Sequence, residues 1–219
     1  TLHVATKEPP RYACDDHWIN DAFMTVVGKE GLDPLLANWE NVVAGKIDHD
    51  NIGGHATSES SVDPHLVHSP YGGYVSFFQV HAPYEIDGGW ETRGPELEEA
   101  ILAKWQKAAP NMTKDSIIMT CHETPEGIER RLPNMRRGAI KHGDYDPLQI
   151  GCFRPNQDCS SAATPIEGLY TCGASNYPGG MVLGGPGYIG ANKVAEDLRV
   201  ANWWKPTRAM ERYIRTYLE

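Results

Sequence analysis

The chain has 219 residues, of which 40% are hydrophobic and 22% charged, with a formal net charge of −9. This is ordinary composition for a globular chain, long enough for one large domain or two small ones. The acidic balance argues against a nucleic-acid surface, which needs clustered Lys and Arg, and no stretch approaches the roughly 20 apolar residues that cross a bilayer.

The five cysteines (14, 121, 152, 159 and 172) form no CxxC pair, so neither a zinc site nor a disulfide framework is expected. Reduced thiols in a cytoplasmic protein is the plain reading. The nine histidines lack HExxH or HxH spacing, so no metal is expected. A start at Thr1 rather than Met points to processing, trimming or a fragment.

The chain opens with the strand LHVAT and the breaker Pro9–Pro10. DAFMTVVG, 21–28, reads as a second strand. A helix follows over 31–46, with Asp33 as N-cap, Pro34 at its first position and Gly45 as its stop. Its stripe of Leu35, Leu36, Trp39, Val42 and Val43 is expected to face the core. Residues 54–63 resemble a polar strand, and YVSFFQVHAPYEI, 74–86, is the strongest strand pattern. Both faces of that strand are largely apolar, which predicts cover on both sides or a cavity wall, with Phe77, Phe78 and Tyr84 as candidate lining.

A helix over 95–108 turns Leu97, Ile101, Leu102 and Trp105 inward and stops before Pro110. DSIIMTCHE, 115–123, reads as a strand, and Thr124 caps a short helix that begins at Pro125. Residues 133–165 lack periodicity, and a loop of that length is more often functional than idle.

The most informative segment runs from Gly168 to Leu198. It reads as a strand (Leu169 to Cys172), a loop crowded with glycines 173, 179, 180, 184, 185, 187 and 190, and a helix from near Gly187. Bare backbone feeding a helix N-terminus suits a flat or anionic group. The chain ends with Trp203–Trp204 and a helix near 206–218. The order of elements predicts an antiparallel sheet with flanking helices, plus a terminal strand–loop–helix that belongs to another fold unit.

HVATKEPPRY, SSVDP, YVSFFQVHAPYEI, ERRLPNMRRGAIKHGDYDPLQIGCFRP and GLYTCGASNYPGGMVLGGPGYIGA stand in this order. The chain thereby resembles the C-terminal half of phytoene-dehydrogenase-like FAD-dependent oxidoreductases, in particular the pyridine nucleotide-disulphide oxidoreductase domain proteins. The resemblance runs over nearly the whole chain. It implies an α+β substrate-binding domain over 1–150, the C-terminal portion of a Rossmann-like FAD-binding domain over 151–200, and a C-terminal helix over 201–219. In that family the last block closes around the flavin. Carried over by position, Gly173, Ala174, Ser175, Gly179, Gly180, Gly187, Tyr188 and Ile189 are flavin neighbours, and Arg154 holds the cofactor or an acidic group. The chain departs from the pattern with Met181 in place of glycine and with Gly190.

The family's GxGxxG fingerprint, in a strand-to-helix frame with a following acid, is absent. GGPGYIG at 184–190 mimics only its spacing. The expectation is that a second polypeptide supplies that half. The implied reaction is a two-electron oxidation, dehydrogenation or desaturation, of a small organic substrate. A flavin carries the difficult chemistry, and His142 and His122 are the candidate bases, with Asp144 and Tyr145 beside the former. Two other classes stand beside this one: a non-catalytic partner subunit of a flavoprotein, and a hydrolase whose nucleophile is the N-terminal Thr1.

Overall fold

The computed structural model describes residues 1–28, 30–67, 72–180, 184–201 and 205–217. The chain divides into two compact units, Thr1–Gly138 and Ala139–Glu219.

The first unit is α+β. Five strands form one antiparallel sheet in the order β2-β3-β4-β1-β5: β1 is Leu2–Thr6, β2 Met24–Val27, β3 Gly54–Thr57, β4 Tyr74–Val80 and β5 Ile117–His122. The central strand β4 pairs with both β1 and β3, aligning Phe78 with Leu2 and Ala56. Those side chains, with Val4 and Val27, bury one face of the sheet.

That face is covered by Trp90, Leu97, Ala100, Ile101 and Trp105, all of which lie in the helix α3, Trp90–Ala108. The Phe78 and Trp105 rings meet edge to face at 5.3 Å, a favoured aromatic geometry. Helix α3 starts a turn earlier than expected, so Pro95 lies inside it rather than at its first position. Its missing N–H forgoes one ladder bond near the start, where burial of Trp90 outweighs the loss.

Several expected elements are shorter. The segment 21–28 gives only the four residues of β2, because Asp21 closes a 3-10 turn over His17–Asp21. The expected strand 54–63 gives β3 and then a four-residue helix α2, Glu59–Val62. Helix α4, Pro125–Arg131, is capped as read: Thr124 accepts from the Gly127 N–H at 3.0 Å.

Helix α1, Leu32–Val43, differs in orientation. Its N-cap is Gly31, not Asp33, and of the expected inward stripe Leu35, Leu36, Trp39 and Val43 are exposed while Val42 is half-buried: Trp39 is 54% and Val43 70% exposed, whereas Asn38 is 3% exposed.

The second unit contains the helices α5, Gly185–Asp197, and α6, Arg208–Tyr217. The expected strand 169–172 is reduced to a single bridge, Ala163 to Tyr170. A strand needs a neighbour to accept its ladder bonds, and no sheet lies among the described residues of this unit. Met181, the Trp203–Trp204 pair and the end of the expected last helix lie outside the described residues.

Candidate functional site

The long aperiodic segment is organised by Arg154. Its side chain is almost fully buried, yet its partners are backbone carbonyls rather than a carboxylate. Nη1 donates to Asp144 O (3.2 Å) and Gln149 O (3.3 Å), and Nη2 donates to Lys141 O, His142 O (3.3 Å) and Ala174 O (2.9 Å). Its Nε is buried without a hydrogen-bond partner. One guanidinium thus ties residues 141–149 to the turn at Ala174–Ser175. The bonds account for how a stretch without periodicity holds one shape, since a planar cation with five donors can serve several carbonyls at once. Arg154 is committed to its own loop and presents no free fork to a ligand.

The same segment supplies His142, whose Nδ1 lies 3.1 Å from Ser175 Oγ. His142 has a φ of +54°, an uncommon conformation for a residue with a Cβ. Tyr145 packs against Gly179 and donates from its hydroxyl to Gly180 O at 3.3 Å. Lys141 Nζ lies 4.8 Å from the centre of the Tyr145 ring. His142, Arg154, Ala174, Ser175 and Gly180 are therefore brought together in this unit. Lys141 joins them without having been expected to, and its only signal in the sequence is its place beside His142.

The glycines of the loop separate into two groups. A Cβ on Gly180 would lie 2.7 Å from Lys141 Cα, and one on Gly190 would lie 2.8 Å from Cys172 Cβ. Close approach within the chain explains those two. Gly179 and Gly180 are buried, so the loop turns them toward Lys141 and Tyr145. Gly173 and Gly187 are different: both are exposed, neither has a positive φ, and a Cβ on either would meet nothing within 4 Å among the described residues.

Helix α5 begins at Gly185 rather than near Gly187, with Gly184 as a left-handed N-cap. Its first ladder bond runs from Tyr188 N–H to Gly184 O, at 2.9 Å. The amides of Gly185 and Gly187 precede that bond, at the positive end of the helix dipole. Tyr188 is exposed beside them and Ile189 is half-buried.

The other candidate base, His122, sits in the first unit. Its Nδ1 lies 2.6 Å from Glu98 Oε2, Thr120 donates to the other oxygen of Glu98, and a Cβ on Gly94 would lie 2.5 Å from His122 Nε2. Burial raises the Glu98 carboxyl, but the hydrogen bonds from Thr120 and His122 outweigh it and hold the group below its usual value. The ring is held between a carboxylate and the backbone of α3, which is the arrangement of a satisfied core histidine. Tyr84 donates to Glu129 and lies under Arg137, and Phe78 is in the core.

Phe77 alone of the three suggested cavity residues faces away from α3. It stands between His3 (ring centres 5.9 Å apart) and His55 (6.0 Å) on the second face of the sheet. The cross-strand partners on that face, from Met24 and Val26 on one edge to Met119 and Cys121 on the other, include no Asp, Glu, Lys or Arg. Thr57, registered between Met24 and Phe77, has a buried hydroxyl with no hydrogen-bond partner. On β4 itself the residues of that face, Val75, Phe77 and Gln79, are half-buried.

The N-terminal amine of Thr1 donates to Glu123 O at 3.0 Å, and burial lowers its pKa. All five cysteines are free thiols. Among the described residues, no group of three or more His, Cys, Asp or Glu side chains could hold a metal, and no helix is long and apolar enough to cross a membrane.

The chain matches no protein-family model. It is 34% identical over 207 residues to a subunit of the limonene dehydrogenase of Castellaniella defragrans, a match covering 92% of this chain and 37% of that protein. It is 35% identical over 146 residues to pyridine nucleotide-disulfide oxidoreductase domain-containing protein 2 of Mus musculus, and 33% over 144 residues to that of Rattus norvegicus. Each of those two matches covers 64% of this chain and 24% of the relative. The chain thus spans about a third or less of the length of these curated relatives. By name these relatives are oxidoreductase-related, which supports a pyridine nucleotide-disulfide oxidoreductase-like relationship.

Proposed function

We propose that this chain is the substrate-binding and flavin-closing part of an FAD-dependent dehydrogenase of more than one chain, within the wider phytoene-dehydrogenase-like group. The observation that carries the reading is the pair Gly173 and Gly187, whose lack of a side chain no contact among the described residues requires. An exposed glycine with ordinary φ and empty space around its missing Cβ is explained by the approach of another body. The amides at the start of α5 and the uncompensated charge of Arg154 favour an electron-rich group there.

In this reading Gly173, Ser175, Gly187 and Tyr188 meet the cofactor, with Ile189 behind them. Ala174, Gly179 and Gly180 set the course of the loop, and Arg154 positions the Ala174 carbonyl. FAD, when bound, supplies two-electron acceptance. In this reading His142, whose backbone is left-handed and whose Nδ1 lies beside Ser175 Oγ, is the candidate base for a substrate proton. Within the first unit, the face around Phe77 is its own candidate surface for a small apolar organic molecule. The name of the limonene dehydrogenase relative supports that class, and its designation as one subunit of that enzyme supports a partner polypeptide.

The test is a comparison of glycine variants in the copurified complex. Gly173→Val and Gly187→Val are expected to leave the melting temperature of the isolated chain unchanged while lowering flavin occupancy and turnover at least about tenfold. Gly190→Val is expected to destabilise the chain itself, because its side chain would strike Cys172. Full flavin content and turnover in the Gly173 and Gly187 variants would instead favour a non-catalytic partner subunit.

A further inference from the structure

The first unit holds a cavity of about 370 Å³ that the functional reading does not use. Its buried end is formed by Thr25 and Ala56, which share a register line with Phe78 and so lie on the α3 side of the sheet, opposite Phe77. Tyr12, Ile19, Phe23, Val62 and Tyr74 make its apolar walls. The segment 9–12 that closes one side is pinned by hydrogen bonds. Asn111 accepts from the Arg11 N–H (2.8 Å) and donates to Pro9 O (2.9 Å), and the Tyr12 N–H donates to Asn20 Oδ1 (2.8 Å). Trp105 Nε1 donates to the Tyr12 hydroxyl at 3.1 Å, which fixes that ring against the core. A cavity of this size, with aromatic walls and a few polar groups, has the form of a small-molecule site.

The hydroxyl groups of the cavity leave one proton unpaired. Fully buried Ser76 donates to Ser58 Oγ at 3.1 Å, and the Oγ atoms of Ser58 and Ser61 lie 2.8 Å apart. Three hydroxyl protons share two hydrogen bonds, so one proton, on Ser58 or Ser61, has no partner among the described residues. Both of these serines line the cavity. Ser60 between them is engaged elsewhere: its hydroxyl bonds the Val75 N–H (2.7 Å) and carbonyl (3.2 Å) and pins α2 to β4. Thr25 is also satisfied, donating to Ala56 O at 3.4 Å. The buried lining of Pro10, Thr25 and Ala56 carries no charge, and Arg11 at the border already faces Glu8 at 3.5 Å. An anion therefore gains no free cation there, and a hydrocarbon leaves the serine proton unpaired. We propose that this cavity binds a small neutral organic molecule with an apolar body and one acceptor oxygen, a ketone or an alcohol, held by the Ser58–Ser61 hydroxyl pair. The site lies within the first unit and does not depend on the flavin reading.

The experiment titrates the full chain with cyclohexanone and, in parallel, with methylenecyclohexane, the hydrocarbon of the same shape, and follows the backbone amide NMR shifts. Saturable shifts are expected at 9–12, 19–25, 56–62 and 74, with the ketone bound about fivefold more tightly than the hydrocarbon, the range of one neutral hydrogen bond. The double variant Ser58→Ala/Ser61→Ala should bind both probes with the hydrocarbon's affinity. It also takes the acceptor from buried Ser76, so a second variant leaves the hydroxyls alone. Ala22→Phe, at an exposed lining position, narrows the cavity and should weaken both probes at least about tenfold with the melting temperature kept. The inference is overturned by the absence of saturable shifts at those amides, by equal affinity for ketone and hydrocarbon, or by binding that Ala22→Phe leaves unchanged. A ketone preference that survives the double substitution overturns the role of the two serines. Shifts grouped instead at His3, His55 and Met119 place the ketone on the Phe77 face and overturn the site itself.

Discussion

Arg154 is the residue on which the second unit turns. A buried guanidinium usually meets a carboxylate; here the carbonyls of residues 141, 142, 144, 149 and 174 take its donors. Arg154→Met keeps an apolar stem and removes every one of those bonds. Hydrogen bonds to a charged group contribute about 1.5–3 kcal/mol each in stability, less when neighbouring waters can replace them. The loss of several predicts local opening rather than a small shift in melting. Hydrogen exchange across 141–149 is expected to accelerate at least about a hundredfold, with the amides of β1 and β4 unaffected. Arg154→Lys should be nearly as damaging, because one ammonium cannot span five carbonyls. Unchanged protection in both variants would remove Arg154 from its role as the staple of this loop.

At the scale of elements, α1 shows where periodicity informs and where it misleads. The spacing of Leu35, Leu36, Trp39 and Val43 correctly marks a helix, but its fully buried residue is Asn38, which no hydrophobic pattern registers. Burial pushes the Asp48 carboxyl up; hydrogen bonds from the Asn51 backbone and from Asn41, Asn51 and Asn38 outweigh it and hold the group below its usual 3.8. The sign follows: the contribution of this carboxylate is fully present above 3.8, the unfolded value, and is lost as pH falls through the lower folded value. Acid titration should therefore release α1 only below that range, seen as loss of the dispersed Trp39 indole NMR signal. Asp48→Asn should lack the step, and a step that persists in the variant would point to another acid. The sheet and α3 were legible because their apolar residues alternate or repeat around one buried face. The strand at 169–172 was not, because among the described residues of its unit only Ala163 offers it a bridge partner. The turns of 133–165 were not, because a single arginine organises them from a distance in sequence.

The whole molecule consists of two units that manage polarity in different ways. The first buries one face of its sheet beneath α3 and leaves the other face without a formal charge, in a chain whose net charge is −9. Excess acid placed elsewhere keeps such a chain in solution, so an uncharged open face is a property of that face and not of the composition. If the face receives a neutral apolar substrate, a cation placed on it should act on binding and leave folding alone. Met24 is the sensitive position: it is 47% exposed, and it adjoins Thr57, whose buried hydroxyl lacks a partner. In the assembled enzyme Met24→Lys is expected to raise KM at least about tenfold with kcat changed far less, since uniform binding is what the charge removes. The melting temperature of the isolated chain should stay within a degree or two of wild type, as for an open surface position at roughly 0.5 kcal/mol or less. Phe77→Ala should raise KM in the same direction, by removing the ring that His3 and His55 flank. If both variants turn over apolar substrates with wild-type KM, the substrate lies against some other surface, and the uncharged face is left to protein contact alone.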